Sequence, residues 1–190
     1  TAAVTCYGSE NYNDTTLTVQ FTVSRVIPTI EVTIDDVTYP NNAVAVITVG
    51  NKANGTVNVT VDGKVFKGTV SNGVANVDLT GLPAGSKVAD VEFFTGDRYN
   101  DNATASAKFN VNKANSTVVI VVDDVYIYND TITINLITTG SAGVVNVTIN
   151  GKAYNVTNNQ IVIERIAVGD YTIIANLAAN ENHSKQEMVE

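Results

Sequence analysis

Two pairs of adjacent acidic residues have the oxygen chemistry of a calcium site. Asp35-Asp36 and Asp123-Asp124 each follow an apolar run, and carboxylate oxygens are ligands that Ca²⁺ prefers. Further acids lie in polar loops, at Glu10, Asp97, Asp101 and Glu181. One hypothesis is that such a loop approaches an acidic pair and that the two together hold Ca²⁺. The alternative is that these Asp side chains only bond the backbone of their own turns, because neighbouring strand residues point to opposite faces.

Asn-x-Ser/Thr triplets, the acceptor sequence for N-glycosylation, are dense in this chain. They begin at Asn13, Asn54, Asn58, Asn102, Asn115, Asn129, Asn146, Asn155 and Asn182. The glycosylation candidates are Asn54, Asn58, Asn102, Asn146 and Asn155. Asn58 and Asn146 occupy matching positions in a repeated segment, and both are predicted on the outward face of a strand. Composition is the alternative explanation, because a chain rich in Asn and Thr produces such triplets by chance.

Tyrosine provides a third group of candidate functional residues. The chain has 8 Tyr and no Trp, and tyrosine is enriched at recognition surfaces. Tyr126 and Tyr128 flank Ile127, so one side of this segment is expected to face outward. Tyr126 and Tyr128 are therefore the predicted ligand surface, with a glycan as the class of ligand.

The composition favours an all-β protein. Val, Thr and Asn are abundant, whereas Leu is scarce and Met occurs once, which disfavours long helices. Hydrophobic residues make up 44% and charged residues 16%, so the chain can bury a core. The 11 basic and 19 acidic residues give a net charge of -8, which argues against nucleic acid as a partner. No apolar run reaches the ~18 residues of a membrane span.

An internal repeat of roughly 88 residues organises the chain. Residues 55–64, Gly-Thr-Val-Asn-Val-Thr-Val-Asp-Gly-Lys, return at 143–152 as Gly-Val-Val-Asn-Val-Thr-Ile-Asn-Gly-Lys. The segment 4–23 also matches 91–111. We therefore predict the terminal strands of a preceding repeat at 1–25, a full repeat at 26–112, and a second repeat at 113–190 with a truncated last strand.

Each repeat has the alternation of half-buried strands. Strands are predicted at 28–36, 43–49, 56–62, 64–70, 74–80, 87–95 and 104–111. Asp62-Gly63 and Asn150-Gly151 mark equivalent hairpin turns. Two sheets packed over Val57, Val59, Val77, Leu79 and Phe93 would bury the apolar faces. A two-layer β-sandwich is the expected domain.

The single histidine, the single cysteine and the repeated lysines show no catalytic pattern. His183 aligns with Tyr12 and Tyr99 and is expected to pack a loop, since no acid or nucleophile pattern recurs around it. Cys6 aligns with Phe93 and Leu177 and is expected to be a small core residue. Lys64, Lys113 and Lys152 are repeat-consistent partners for an internal isopeptide bond, but lysines after tight turns are normally solvated. We predict that the chain is not an enzyme.

The hairpin motif at 58–64, Leu-Pro-Ala-Gly at 82–85 and Gly-Asp-Arg-Tyr-Asn at 96–100 resemble the bacterial-type immunoglobulin-like repeats of adhesin-like surface proteins in methanogenic archaea and some bacteria. The resemblance covers the whole chain. It implies an all-β fold of tandem immunoglobulin-like antiparallel β-sandwiches and an extracellular, cell-surface location. It does not imply a ligand, because such sandwiches have many unrelated binding roles.

Three functions remain open at this point. The first is a semi-rigid stalk that also attaches to another cell, whose partners are other repeats of the same chain and glycans or surface proteins of that cell. The second is a glycan-binding immunoglobulin-like module. The third is a filament subunit that assembles head-to-tail by strand complementation.

Overall fold

The computed structural model describes residues 1–140 and 143–190 as a hairpin followed by two β-sandwiches. The hairpin consists of β1 (Ala2–Cys6) and β2 (Thr15–Val19). They pair antiparallel with Cys6 opposite Thr15. Every residue of both strands is exposed. Cys6 is therefore not a core residue as predicted, because no second sheet of the described chain covers this hairpin.

The first sandwich is built from the strands that the alternating sequence predicts, with one addition. Its strands are β3 (Ile30–Ile34), β4 (Val37–Thr38), β5 (Ala43–Val49), β6 (Gly55–Val61), β7 (Lys64–Val70), β8 (Val74–Leu79), β9 (Gly85–Thr95) and β10 (Ala103–Asn112). One sheet has the order β3-β5-β8, and the other has the order β4-β10-β9-β6-β7. Only β4 is parallel to its neighbour, pairing with β10. The predicted strand at 28–36 thus ends at Ile34, and β4 was not predicted.

Inward-facing residues of both sheets form the first core. Val57, Val59, Val77, Leu79 and Phe93 are all buried, as the alternation predicts. The β6–β7 turn places Asp62 and Gly63 at φ values of 50° and 76°, which suits the two-residue hairpins that match strand twist.

The second sandwich repeats this arrangement with shorter strands. It contains β11 (Thr117–Val121), β12 (Thr131–Thr139), β13 (Val145–Ile149), β14 (Lys152–Tyr154), β15 (Gln160–Glu164), β16 (Ile173–Leu177) and β17 (Gln186–Val189). The sheets have the orders β11-β12-β15 and β14-β13-β16-β17. Residues 122–130 form no strand, so β4 has no counterpart there. A separate buried cluster forms the second core and includes Ile134, Val147 and Leu177.

The described residues confirm the all-β prediction, and the two sandwiches are immunoglobulin-like. The strand pairing also fixes which residues are equivalent. Asn58 lies opposite Glu92 in the first sandwich, and Asn146 lies opposite Asn176 in the second. Glu92 and Asn176 therefore occupy the same position, and so do Phe93 and Leu177.

Candidate functional site

The loop between β9 and β10 is organised by the carboxylate of Asp97. Its Oδ1 accepts the backbone N–H groups of Tyr99 and Asn100, both at 2.8 Å. Its Oδ2 accepts the side-chain amide of Asn100 at 3.0 Å and the N–H of Asn54 at 3.2 Å. The side-chain hydrogen bond from Asn100, followed by the backbone N–H bonds, holds the pKa of Asp97 far below its usual range. Asp97 therefore stabilises this turn as a carboxylate.

The equivalent loop of the second sandwich uses a neutral side chain. Asn180 Oδ1 accepts the N–H groups of Asn182 and His183 at 2.9 and 2.8 Å. Ala114 and His183 form a parallel bridge, as Val26 and Asn100 do in the first sandwich. His183 therefore corresponds to Asn100, and the predicted alignment with Tyr99 was displaced by one residue. The loop between β16 and β17 is shorter than its counterpart, so the sequence alone does not fix their alignment. The backbone hydrogen bonds do.

The loop that contains Asn180 packs against the end of the first sandwich that lies opposite the Asp97 loop. The side-chain oxygen of Asn182 accepts the N–H of Ala84 at 2.9 Å. The ring of His183 meets Tyr39 edge-on, with ring centroids 5.6 Å apart. Lys113, in the connecting segment, donates to the carbonyl of Asn180 at 2.6 Å. We name these residues, Tyr39, Ala84, Lys113, Asn182 and His183, the junction.

The junction joins the two sandwiches by specific polar and aromatic contacts rather than by a loose linker. Tyr39 follows β4, and Ala84 precedes β9. Asn182 and His183 lie between β16 and β17. The sequence did not predict that Tyr39, Ala84 and Asn182 meet. The available signal was the position of these loops at opposite poles of a sandwich, which in a tandem chain come together.

The far end of the second sandwich contains an open cavity of about 480 Å³. Apolar side chains of its core, including Ile134, Ile149, Ile163 and Ile173, form one wall. The loop that carries Asp123, Asp124, Tyr126 and Tyr128 forms another. The cavity is therefore apolar inside and acidic at its mouth.

The acidic pairs do not assemble into a metal centre among the described residues. Asp36 uses both carboxylate oxygens on Asn110, accepting its N–H at 2.7 Å and its amide at 3.1 Å. These bonds lower the pKa of Asp36. No group of three His, Cys, Asp or Glu side chains suited to a metal occurs in residues 1–140 and 143–190. Nothing in the described residues tests calcium binding by Asp35, Asp123 and Asp124. The calcium hypothesis therefore stays a prediction.

The sequon asparagines divide into bonded and outward-facing groups. Asn54 Oδ1 accepts the N–H of Asn72, and Asn102 Oδ1 accepts the N–H of Thr95, so both side chains organise loops. Asn58 is half-buried on β6. Asn146 and Asn155 are exposed. Of these five candidates, Asn146 and Asn155 are exposed residues for which no loop-organising hydrogen bond is described.

The tyrosines predicted as a ligand surface lie on a loop rather than on a strand. Tyr128 is 62% exposed, and Tyr126 is partly buried, with its hydroxyl accepting the N–H of Asp123 at 3.3 Å. Ile127 between them is 76% exposed. Both tyrosines line the cavity at the end of the second sandwich.

Among the described residues, Lys87 is a buried lysine, and its burial was not predicted. Its side chain is 7% exposed and donates to Asp62 Oδ2 at 2.6 Å. Lys64 and Lys113 instead donate to the carbonyls of Thr80 and Asn180. Lys152 approaches the ring of Tyr154 at 5.4 Å. None of the three predicted lysines is paired with an acid in the described residues.

Comparison with known proteins gives a similarity of fold. No protein-family model and no curated protein matches the chain. A solved structure of fibronectin(III)-like modules of Clostridium thermocellum CbhA is 13% identical, over 84% of this chain and 92% of that chain, with a TM-score of 0.35. Titin domains I67–I69 are 10% identical, over 87% and 65% of the two chains, with a TM-score of 0.37. Bacteroides ovatus SGBP-B, in complex with a mixed-linkage heptasaccharide, is 18% identical, over 80% and 42%, with a TM-score of 0.35.

The described residues, 1–140 and 143–190, contain no helix with the length and hydrophobicity of a membrane span.

Proposed function

We propose that this chain is a structural and adhesive segment of an extracellular, adhesin-like surface protein, in which tandem sandwiches form a semi-rigid stalk. The observation that carries the proposal is the junction. A flexible linker would leave the loops of neighbouring domains solvated, whereas here Asn182 bonds Ala84 and His183 packs on Tyr39. Such contacts restrict the angle between domains.

The second sandwich offers a further apolar surface at its far end. Ile127 lies in the loop between β11 and β12, and Val168 occupies the position of Ala84 of the junction in the loop before β16. They are 76% and 87% exposed. Another domain that docked there would extend the stalk in the same geometry. In this proposal the partners are other repeats of the same kind, and attachment to glycans or proteins of another cell adds to the spacing role.

The stiffness of the junction can be measured by the distance between two spin labels. Cys6→Ser leaves no native thiol, and cysteines replacing the exposed residues Asp78 on β8 and Glu164 on β15 place one label on each sandwich. We expect a narrow distribution of distances by pulsed electron paramagnetic resonance. Tyr39→Ala combined with Asn182→Ala should broaden it.

The matched control is Tyr99→Ala, which removes a tyrosine that is 72% exposed on the other loop. It should leave the distribution narrow. A broad distribution in the parent protein would contradict the stalk proposal, since the junction contacts would then not persist in solution.

The surface location includes a proposal of N-glycosylation at Asn146 and Asn155. Both are exposed, and glycan attachment requires an accessible asparagine. Peptide mapping of the protein from its native source should find glycan mass on the peptides that contain these residues. Peptides that contain Asn146 and Asn155 at their unmodified masses would exclude glycosylation there.

A further inference from the structure

The outer face of the larger sheet of the first sandwich contains a shallow hollow. Its volume is about 440 Å³, and it opens to solvent between β6, β7 and the end of β9. Its lining includes the ring of Phe94 and four polar residues, Thr56, Asn58, Lys67 and Thr69. We name these five residues the Phe94 hollow. Its volume lies within the roughly 300–1,000 Å³ of small-molecule sites.

The strand register brings these five side chains to one face of the sheet. Thr56 lies opposite Phe94 on one side and opposite Thr69 on the other. Asn58 lies opposite Lys67 in the next outward-facing row. Because the residue between Thr56 and Asn58 and the residue before Phe94 are buried, alternation directs these side chains away from the core. Phe94 is 39% exposed, so part of its ring is open to solvent.

The four polar side chains of the Phe94 hollow are available to a ligand. Within residues 1–140 and 143–190, they have no hydrogen-bond or ion-pair partner. The two threonine hydroxyls and the Asn58 amide can both donate and accept hydrogen bonds, and the Lys67 ammonium can donate three. The hollow therefore combines an exposed aromatic ring with several unused donors and acceptors.

A sugar ring has the surface that complements this combination. A hexopyranose carries C–H groups on a face of the ring and hydroxyl groups around its rim. The C–H groups are attracted to the electron-rich face of an aromatic ring, and each hydroxyl group both donates and accepts hydrogen bonds. Phe94 can therefore bind the face of a sugar while Asn58 and Lys67 fix its orientation through the rim.

The charges on this face favour a neutral sugar. Glu92 lies opposite Asn58, and Asp90 lies opposite Thr60. Both acidic residues are exposed on the same face as the Phe94 hollow, and they offset the charge of Lys67. The whole chain has a net charge of -8. A glycan that carries carboxylate or sulfate groups would therefore be repelled.

The equivalent face of the second sandwich lacks the aromatic ring. The strand register places Ala178 at the position of Phe94 and Val144 at the position of Thr56. Neither residue can stack on a sugar or bond its hydroxyl groups. Sugar binding of this kind is therefore expected on the first sandwich and not on the second.

We propose that the Phe94 hollow binds a neutral hexopyranose unit of a glycan. Phe94 stacks on the C–H face of the ring, and Asn58 and Lys67 bond its hydroxyl groups. This inference rests on the adhesive part of the proposed function, for which it names the site and the class of ligand. The stalk does not depend on it, because the junction lies elsewhere in the molecule.

NMR titration of the isotope-labelled, unglycosylated 190-residue protein tests this inference. The probes are two neutral tetrasaccharides, cellotetraose and mannotetraose, at up to about 10 mM, a range that detects millimolar affinity. We expect shifts of backbone amides in β6 and β7 and at Phe94, and none in β13 or β16. Phe94→Ala, which copies Ala178, should weaken binding about tenfold because the stacking surface is lost. Asn58→Ala should also weaken it.

Val88→Ala is the matched control, because Val88 is 47% exposed on the outer face of the same strand and lies outside the Phe94 hollow. It should leave the affinity unchanged. Tetragalacturonate, an acidic tetrasaccharide, should bind more weakly than either neutral probe.

Three results would overturn the proposal: no amide shifts with either neutral probe, equal affinity of Phe94→Ala and the parent protein, or tighter binding of tetragalacturonate. The same spectra show whether each variant is folded. None of these results affects the spin-label distance between the two sandwiches, so a failure here and a failure of the stalk proposal are distinguishable.

Discussion

The two sandwiches share strand order and register around the central hairpin but stabilise the same positions with different chemistry. The first places Lys87 inside and pairs it with Asp62. In the second, Tyr171 and Asn150 occupy these positions, and Asn150 bonds the backbone of Asp170 and Thr172 instead. The first uses a charged pair where the second uses neutral amide hydrogen bonds.

The two cores also have side chains of different size at equivalent positions. Phe93, which is 1% exposed, corresponds to Leu177, and Gly68 corresponds to Val156. In the first core, Val57 thus lies between a large aromatic residue and a residue without a side chain, whereas in the second both equivalent positions are aliphatic. A β-sandwich of this type tolerates redistribution of core volume as long as the alternation and the register are kept.

The largest expected effect separates the two cores. Phe93→Ala should destabilise the first sandwich by about 3–5 kcal/mol, and Leu177→Ala should destabilise the second by about 2–5 kcal/mol, because each leaves a cavity. Each loss should be confined to its own sandwich, since the buried clusters are separate. Urea unfolding followed by hydrogen exchange of β9 and β16 measures the two stabilities independently.

Phe94→Ala is the control for the first substitution, because Phe94 is the neighbouring residue on the outer face and is 39% exposed. Its effect should be below about 1 kcal/mol. Equal loss of protection in both sandwiches after Phe93→Ala would mean that the chain unfolds as one unit and that the comparison of separate cores fails.

A smaller effect is expected at Gly68, whose counterpart in the second sandwich, Val156, has a larger side chain. At Gly68, an added Cβ would lie 2.6 Å from Val77 Cγ2 and 3.2 Å from Val57 Cγ2. Gly68→Val, which copies Val156, should therefore cost about 1–3 kcal/mol through overpacking. Thr69→Val changes the adjacent exposed position and should have little effect. An unchanged free energy of unfolding for Gly68→Val in urea would contradict this prediction, since the first core would then have room for a valine side chain at this position.

The charged pair gives the third prediction. Asp62→Asn keeps a residue that tolerates the positive φ of this turn but leaves Lys87 buried without a counter-charge. We expect a loss of about 1–2 kcal/mol, limited because Asp62 is 47% exposed. Adding Lys87→Met should recover part of this loss, because the unpaired charge is then removed. Chemical denaturation of the single and double variants would contradict the interpretation if the double variant were the less stable.

Much of the fold follows from alternation alone. The period of two predicts the buried faces of β6, β8 and β9 correctly. The same period, continued backwards from Phe93 through Val91 and Ala89, places Lys87 inside, so its burial had a sequence signal. Strand β4 had none, because two residues paired in parallel show no periodicity.

The features that the sequence did not predict depend on contacts between segments distant in sequence. Cys6 is exposed, because burial depends on a second sheet, which no periodicity can supply. The junction depends on which loops face each other, and Asn182 resembles any other loop asparagine until Ala84 is placed beside it.

The smallest expected effect is a difference in the response to acid, and it distinguishes the Asp97 loop from the Asn180 loop. The hydrogen bonds to Asp97 lower its pKa in the folded protein, whereas an unfolded Asp titrates near about 3.9. The stabilisation from Asp97 is therefore complete above about pH 4 and is lost as the pH falls below that value toward the folded pKa. Asp97→Asn copies Asn180 and should make the first sandwich less dependent on pH in this range.

Residue-resolved NMR during urea unfolding at pH 7 and pH 3 measures this difference through β9 and β16. The acid-induced decrease in the urea midpoint of β9 should be smaller in Asp97→Asn than in the parent protein, although Asp36, whose pKa is also lowered by Asn110, retains part of it. Asp78→Asn removes the same charge from an exposed position on β8 and should not change the acid response. If Asp97→Asn leaves the response of β9 unchanged, the two loops are energetically equivalent, and the carboxylate contributes no more than the amide of Asn180 does.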